Sequence, residues 1–581
     1  MAMRPFTPAL ALSGLALFLA ACSDGDPTQS TACTTSSTPV ALAPLQGTTV
    51  RAAEFGRCFQ IQEAGDYLLV PQFASEGPEP ETRNFETPDP FGFQFGVGLA
   101  DDAATTAASV SRAALPWAAG EPRTANPAAR FHAMLRRKEA ELDVRGAATA
   151  RAAAAASLMT AQVADGPPPA SRTFRVLSDL DGEAFETVTA SLKFAGDRIW
   201  LYVDANVPEP GFTDADWAAF GRLFDDDLLP IDETAFGTTS DVDGNEHVFV
   251  LFTPVVNALV QPTPDNPATN CRFYVAGFFT GFDLAGGGDP NSNAAEVFYS
   301  SVPDPNGVEG CPVQAAQVRS LTPATFIHEM QHMISFNQHR LIRGGRAENV
   351  WLNEGLSLIA EELGGRHYEE RYPPPSGRTS PTQLFPDSAL GFLQPNLNYA
   401  FDWLTMTSDS SVTTFDNFGS LEERGGAWLF LRWLGDQKGD AIYRSLVQTN
   451  RRGIANVSAA AGENFPQLFG DFSVAVYTDS LPGIARSAIP PRYRFSSRNF
   501  RYIFQLIANQ GSGDGQYPVS PIELAVGQSD SNDMPQGGLE FYRVRQGATS
   551  PLSYRFSRED RTQLASSLAA QVTIFRLPDA P

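Results

Sequence analysis

Lysine is almost missing from this chain: only Lys138, Lys193 and Lys438 stand among the 42 cationic side chains, and 66 acidic residues outnumber them all. The resulting net charge of -24 repels phosphate backbones and anionic headgroups, which excludes nucleic acid as an expected partner. The preference for arginine reads as base composition, not mechanism. Long apolar runs are also scarce. Beyond the first 21 residues no 18 consecutive apolar residues occur, so no ordinary membrane-spanning helix is expected there. Cysteine is limited to five residues, too few and too scattered for a closed four-cysteine structural zinc site. Internal repeats of 20 to 50 residues are absent, which excludes a solenoid. What remains is 581 residues, 43% hydrophobic and 11% aromatic, enough to build packed cores in several domains of about 150 residues each. Wholesale disorder and fibrous architectures are ruled out on the same ground.

The N-terminus has one charge at Arg4, a short apolar run and then small residues, the layout of a secretory signal. Its end, Leu19-Ala20-Ala21-Cys22, resembles the lipobox of bacterial lipoproteins. That resemblance implies a signal peptide at 1–21, lipidation of Cys22 and, with Ser23 next, anchoring to the outer membrane of a bacterial cell envelope, facing the periplasm or the exterior. Four cysteines are then left in an oxidising compartment, and proximity pairs Cys33 with Cys58 and Cys271 with Cys311.

Residues 22–40, rich in Ser, Thr and Pro, read as a flexible tether. Alternating runs such as DYLLVPQFA and FGFQFGVG predict an N-terminal β-domain over 41–120. The Ala- and Arg-rich stretch in 121–165 predicts an exposed helical linker, and its His132 shows no partner in sequence. Over 166–486 strand patterns (TFRVLSD, RIWLYVDA, HVFVLFTPVV) give way to helices, and over 487–581 runs such as FRYIFQLIA, LEFYRV and QVTIFRL predict a C-terminal β-domain. The fold class expected is therefore multidomain α+β.

The segment LTPATFIHEMQHMISFNQH, 321–339, carries the chemistry. Thr322 before Pro323 predicts a helix start. Apolar residues at helical spacing follow, so His328 and His332, four apart, lie one above the other and can reach one cation, with Glu329 beside them to hold a water. Two imidazoles suit zinc better than calcium or magnesium. An HExxH arises by chance in roughly one such chain in 300, so a third ligand is required before the motif carries weight. His339 would sit about 10 Å along the helix from His332 and reads as a C-terminal cation, not a ligand. Glu354 in NVWLNEGLSLIAEEL, on a second helix after the loop RLIRGGRAE, can point back at the histidines; Glu361 and Glu362 on later turns are expected to be solvated.

FIHEMQHMISF followed by WLNEGLS resembles the gluzincin zinc metallopeptidases, and is most similar to the hyicolysin-like neutral metallopeptidase family. The likeness is specific over 322–363 and looser from about 172 to 486. It implies a zincin-type domain at 166–486, one catalytic zinc held by His328, His332 and Glu354, Glu329 as general base and acid, and protein or peptide substrates. The thermolysin-type aspartate four residues after the glutamate is replaced by Leu358, so the group orienting a zinc histidine stays unassigned. For the oxyanion, His367, Tyr368, Tyr372 and Tyr399 are within plausible chain distance. NAAEVFYSSVP, 293–303, can be an edge strand for substrate or an ordinary one. Asp241, Asp243 and Asn245 offer oxygens of the kind Ca2+ takes, but DVDGN fits a turn better. Two other classes compete with an enzyme: a catalytically silent zincin-fold adhesion lipoprotein, and a lipoprotein whose zinc only braces the fold.

Overall fold

The computed structural model describes residues 39–51, 58–77, 90–97, 127–144, 167–262, 271, 274–286, 288–371, 387–415, 419–510, 517–547, 552–560 and 562–578. The signal expected at 1–21, Cys22 and Cys33 lie outside them.

Four strands precede the first described helix: β1 (Gly47–Arg51), β2 (Cys58–Ile61), β3 (Gly65–Phe73) and β4 (Phe91–Val97). Five close the chain: β11 (Ile522–Glu523), β12 (Ser529–Met534), β13 (Tyr542–Gln546), β14 (Leu552–Ser557) and β15 (Ala570–Arg576). They do not form the two separate β-domains expected at 41–120 and 487–581. One sheet has the order β1-β15-β3-β13-β11 and the other β12-β4-β14-β2, so both ends of the chain alternate in a single sandwich. The physical reason is in β3. Tyr67, Leu69 and Phe73 point into the sandwich core with Phe93, Phe95 and Phe556, while Leu68 and Val70 point the other way into the helical core. A strand buried on both faces must be central, and its two neighbours, β15 and β13, both come from the far end of the chain. Glu76, just after β3, ties the sandwich to the rest by accepting from Trp351 Nε1 (3.2 Å), Asn349 Nδ2 (3.1 Å) and Ile454 N (3.0 Å).

Between these strands a six-stranded sheet has the order β5-β6-β7-β8-β10-β9. Its strands are β5 (Ser171–Leu177), β6 (Phe185–Ala195), β7 (Ile199–Asp204), β8 (Val248–Phe252), β9 (Gly277–Phe279) and β10 (Val297–Ser300). β7, β8 and β10 run parallel, and β9 pairs antiparallel to β10. Thus β10, the strand in 293–303 considered as an edge, is interior, and β9 is the edge. Cys271 and Cys311 are joined by a disulfide that brackets β9 and β10; Cys58 is also disulfide-bonded.

Helix α1 (Pro127–Glu141) packs on one face of this sheet through Phe131, Met134 and Leu135, so it is not the exposed linker expected for 121–165. α4 (Pro254–Ala258), at the end of β8, joins the same cluster through Val255 and Val256, and helices on the other face include α2 (Asp214–Arg222), α3 (Leu229–Phe236), α5 (Gly281–Ala285, after β9), α6 (Ala315–Phe336) and α7 (Val350–Arg371). α8 (Asp387–Thr405), α9 (Leu421–Lys438), α10 (Ala441–Val447), α11 (Gly453–Ala461) and α12 (Phe465–Thr478) complete the helical half. α6 starts earlier than Thr322: Gln314 caps it in a reciprocal pair with Gln317, and Pro323 lies inside the helix. The ladder bond lost at Pro323 is offset by burial of Thr322, Pro323, Ala324, Phe326 and Ile327 around it. FRYIFQLIA is likewise not a strand but helix α13 (Phe500–Gln510), burying Phe500, Ile503 and Phe504 at helical spacing.

Candidate metal centre

α6 runs between the sheet and α7, with apolar contacts on both sides; Phe326, for example, stacks on Phe224 at 4.1 Å between ring centroids and meets Phe298 edge-on at 5.4 Å. His328, Glu329 and His332 are all buried on it, with one ligating atom of each within 4.8 Å of the others. The imidazoles stand at 79° to one another with centroids 4.9 Å apart. Glu354, on the second turn of α7, faces both rings: its Oε2 is 3.6 Å from His328 Nε2 and its Oε1 is 3.7 Å from His332 Nε2. Ligands of a tetrahedral zinc at bond lengths of 2.0–2.2 Å stand roughly 3.4 Å apart, so this donor set needs only a small contraction to hold the ion. Among the described residues none donates to the buried Glu354 Oε1, as expected of an oxygen kept for a cation.

The surroundings hold these groups in place. His328 Nδ1 is 2.7 Å from Glu361 Oε1, which leaves Nε2 directed at Glu354. Glu361 is therefore buried and paired, not solvated as expected, and it supplies the orienting carboxylate that Leu358 cannot. Glu362 is buried as well, bonded to Trp428 Nε1 at 3.0 Å and to Arg366 at 3.1 Å. Ser357 Oγ lies 3.1 Å from both ring nitrogens of His332. Arg424 Nη1 donates to Glu354 Oε2. That contact depends on Gly425, where a Cβ would come within 2.2 Å of the Tyr399 carbonyl carbon, so that α9 can cross α8 at backbone contact and bring Arg424 to the site.

Burial alone would raise the carboxyl of Glu354, but Arg424 and the two histidines hold it well below the ordinary range. Burial opposes charge on His328 too, yet the carboxylates of Glu354 and Glu361 beside it push its pKa up to about 10. Glu329 is pushed up by burial and brought down to about 2 by His132, His332 and His328. His132 is the unforeseen member: from α1 its Nδ1 reaches to 3.3 Å of Glu329 Oε1, while Glu329 Oε2 accepts from Phe279 N at 3.0 Å.

Other candidates lie elsewhere. His339 is buried, and desolvation lowers its pKa to about 4, so it is a neutral core residue and not a helix-terminal cation. His367 Nε2 faces Asp227 at 3.5 Å, and Tyr368 stacks on Phe392 at 5.7 Å. Tyr399 is largely buried near Glu361 and Arg424, and Tyr372 lies outside the described residues. Asp241 and Asp243 meet Glu296 within 4.8 Å, but Asn245 is committed to Asp243 Oδ2 (2.7 Å) and to His247 N (2.6 Å), as in a turn feeding β8. Of the residues the sequence reading missed, only Glu361 had a signal: with Glu354 it makes an i, i+7 stripe along α7. Arg424 and His132 depend on tertiary packing.

No protein-family profile matches the chain. Over 347 residues it is 31% identical to the neutral metalloprotease ShpI of Staphylococcus hyicus, a match covering 56% of this chain and 67% of that protein. With that identity across two thirds of the protease, and with paired histidines and buried glutamates gathered on adjoining helices, the chain belongs to the neutral metalloprotease family.

Proposed function

We propose that the protein is a zinc-dependent endopeptidase of gluzincin type, in which His328, His332 and Glu354 hold the metal and Glu329 is the general base. The observation that carries this reading is Glu354 spanning the two imidazoles at 3.6 and 3.7 Å. Zinc, when bound, supplies Lewis acidity, polarising the scissile carbonyl and acidifying a water. Glu329 takes the proton of the attacking water on its carboxylate and returns it to the leaving amine. Glu361 holds the His328 ring through Nδ1, and Arg424 fixes the Glu354 carboxylate, so neither ligand has to be ordered when the ion or the substrate arrives. Export with a lipid on Cys22 and residence in the cell envelope complete the proposal, on the strength of the N-terminal signal and lipobox.

Elemental analysis and casein cleavage test it together. One zinc is expected in both wild type and Glu329→Gln, with cleavage by wild type only, and Glu354→Ala is expected to lose tight zinc. A wild-type protein that binds no zinc would refute the assignment.

A further inference from the structure

Helix α1 lies against the outer edge of β9 and against Glu329. Phe279 on the edge strand β9 is in a non-hydrogen-bonded pair with Phe298, because the neighbouring ladder bond runs from Ser301 N to Ala276 O. Its own N–H and C=O therefore point away from the sheet, as does the N–H of Gly281 two residues on. These are the groups an extended peptide would take by β-augmentation. All three are engaged: Phe279 N donates to Glu329, Phe279 O accepts from Arg136 Nη2 at 3.0 Å, and Gly281 N donates to Glu139 Oε1 at 2.8 Å. Arg136 and Glu139, both buried, pair with each other at 3.1 Å one helical turn apart. The remaining oxygen of Glu329 faces His132 of the same helix, whose ring is also edge-on to His328 at 6.5 Å. The helix is held by Phe131, which meets Phe278 edge-on at 5.1 Å, by Met134 and Leu135 in the apolar cluster, and by Arg340, which donates to the carbonyls of Ala140 and Leu142. Gly281 makes the close approach feasible, since a Cβ there would lie 2.9 Å from Glu139 Cγ.

We propose that α1 is a self-inhibitory segment: His132 sits on the general base, Arg136 and Glu139 occupy the outer edge of β9 in place of an extended peptide, and substrate enters only when α1 leaves. A permanent wall of the cleft would leave the base and the edge strand open to water and peptide, whereas α1 sets His132 3.3 Å from one oxygen of the base and takes the outward Phe279 carbonyl and the Gly281 N–H. The inference rests on the metallopeptidase reading of the same site.

The test uses the full-length, zinc-loaded protein, with His132→Ala and the double variant Arg136→Gln/Glu139→Gln beside wild type and Glu329→Gln. Casein turnover is measured, and deuterium uptake by the α1 amides is followed with and without a phosphinic peptide, an uncleavable extended ligand. We expect a rise in kcat/KM on the order of tenfold for His132→Ala, the equivalent of about 1.4 kcal/mol, falling mainly in KM because the plug competes with substrate. We also expect the phosphinic peptide to speed exchange in α1 of the wild type. A fall in kcat/KM with zinc retained, or α1 amides that stay protected while the peptide inhibits, overturns the plug and leaves the metallopeptidase standing. Turnover absent from every protein, with Glu329→Gln indistinguishable from wild type, overturns both. Thermal unfolding checks that each variant folds, and if the variants do not, the exchange measurement on wild type decides alone.

Discussion

At the scale of single residues the structure turns on carboxylates that have found partners. Glu361 is the case with the most direct test. Replacing it by alanine leaves His328 Nδ1 without its 2.7 Å partner, and loss of such an outer partner lowers metal affinity by roughly 10- to 100-fold. Competition with a chelator should show that drop, while Glu361→Gln, which can still accept a hydrogen bond, should recover part of it; equal zinc affinity in all three proteins would contradict the pairing. His339 makes a second prediction. Its folded pKa of about 4 lies below the ordinary 6.5, so below pH 6.5 the unfolded chain takes up a proton that the folded one refuses. Stability from this residue is present above pH 6.5 and is lost as pH falls to 4, by roughly 3 kcal/mol in total. Urea unfolding across that window should be flatter for His339→Gln than for wild type. HExxH and Glu354 were legible because a helix converts sequence spacing directly into geometry. His132 was not, because nothing local distinguishes a histidine that meets Glu329 from one that meets water.

The kind of element was legible even where both faces are buried, as in β3 and α6, whereas the apolar and aromatic content of FRYIFQLIA invited the wrong assignment. In a strand Tyr502 and Phe504 would share a face; in α13 Phe504 is fully buried and Tyr502 is 41% exposed. Phe504→Ala should therefore cost about 3 kcal/mol or more, and Tyr502→Ala less than about 1 kcal/mol, by chemical denaturation. Comparable losses at the two positions would restore the strand. The start of α6 was misplaced for a related reason: Thr322-Pro323 is a good local helix start, but packing around Pro323 outweighs the bond it lacks.

For the whole molecule, period-2 alternation showed that strands exist at both ends but not that they interleave, since alternation is silent about which strand pairs with which. The consequence is measurable. Truncation before Ala570 removes a strand that lies between β1 and β3 and buries Val572, Ile574 and Phe575. At about 1.5–3 kcal/mol per side chain this approaches the whole net stability of a typical domain. The shortened protein should be protease-sensitive at 25 °C and lose its near-ultraviolet circular dichroism; an unchanged melting temperature would show that the sandwich does not need its last strand.

The same interleaving sets a timetable. Thr49 on β1 meets Thr573 on β15 across 524 positions, and a ribosome adding 5–20 residues per second needs roughly half a minute to two minutes to make the second after the first. Through that interval β1 and β3 have no neighbour to close against, and the sheet backing the helical half cannot exist. This sheet therefore stays incomplete until Ala570–Arg576 has been made, and the helical half packed against β3 lacks its backing for as long.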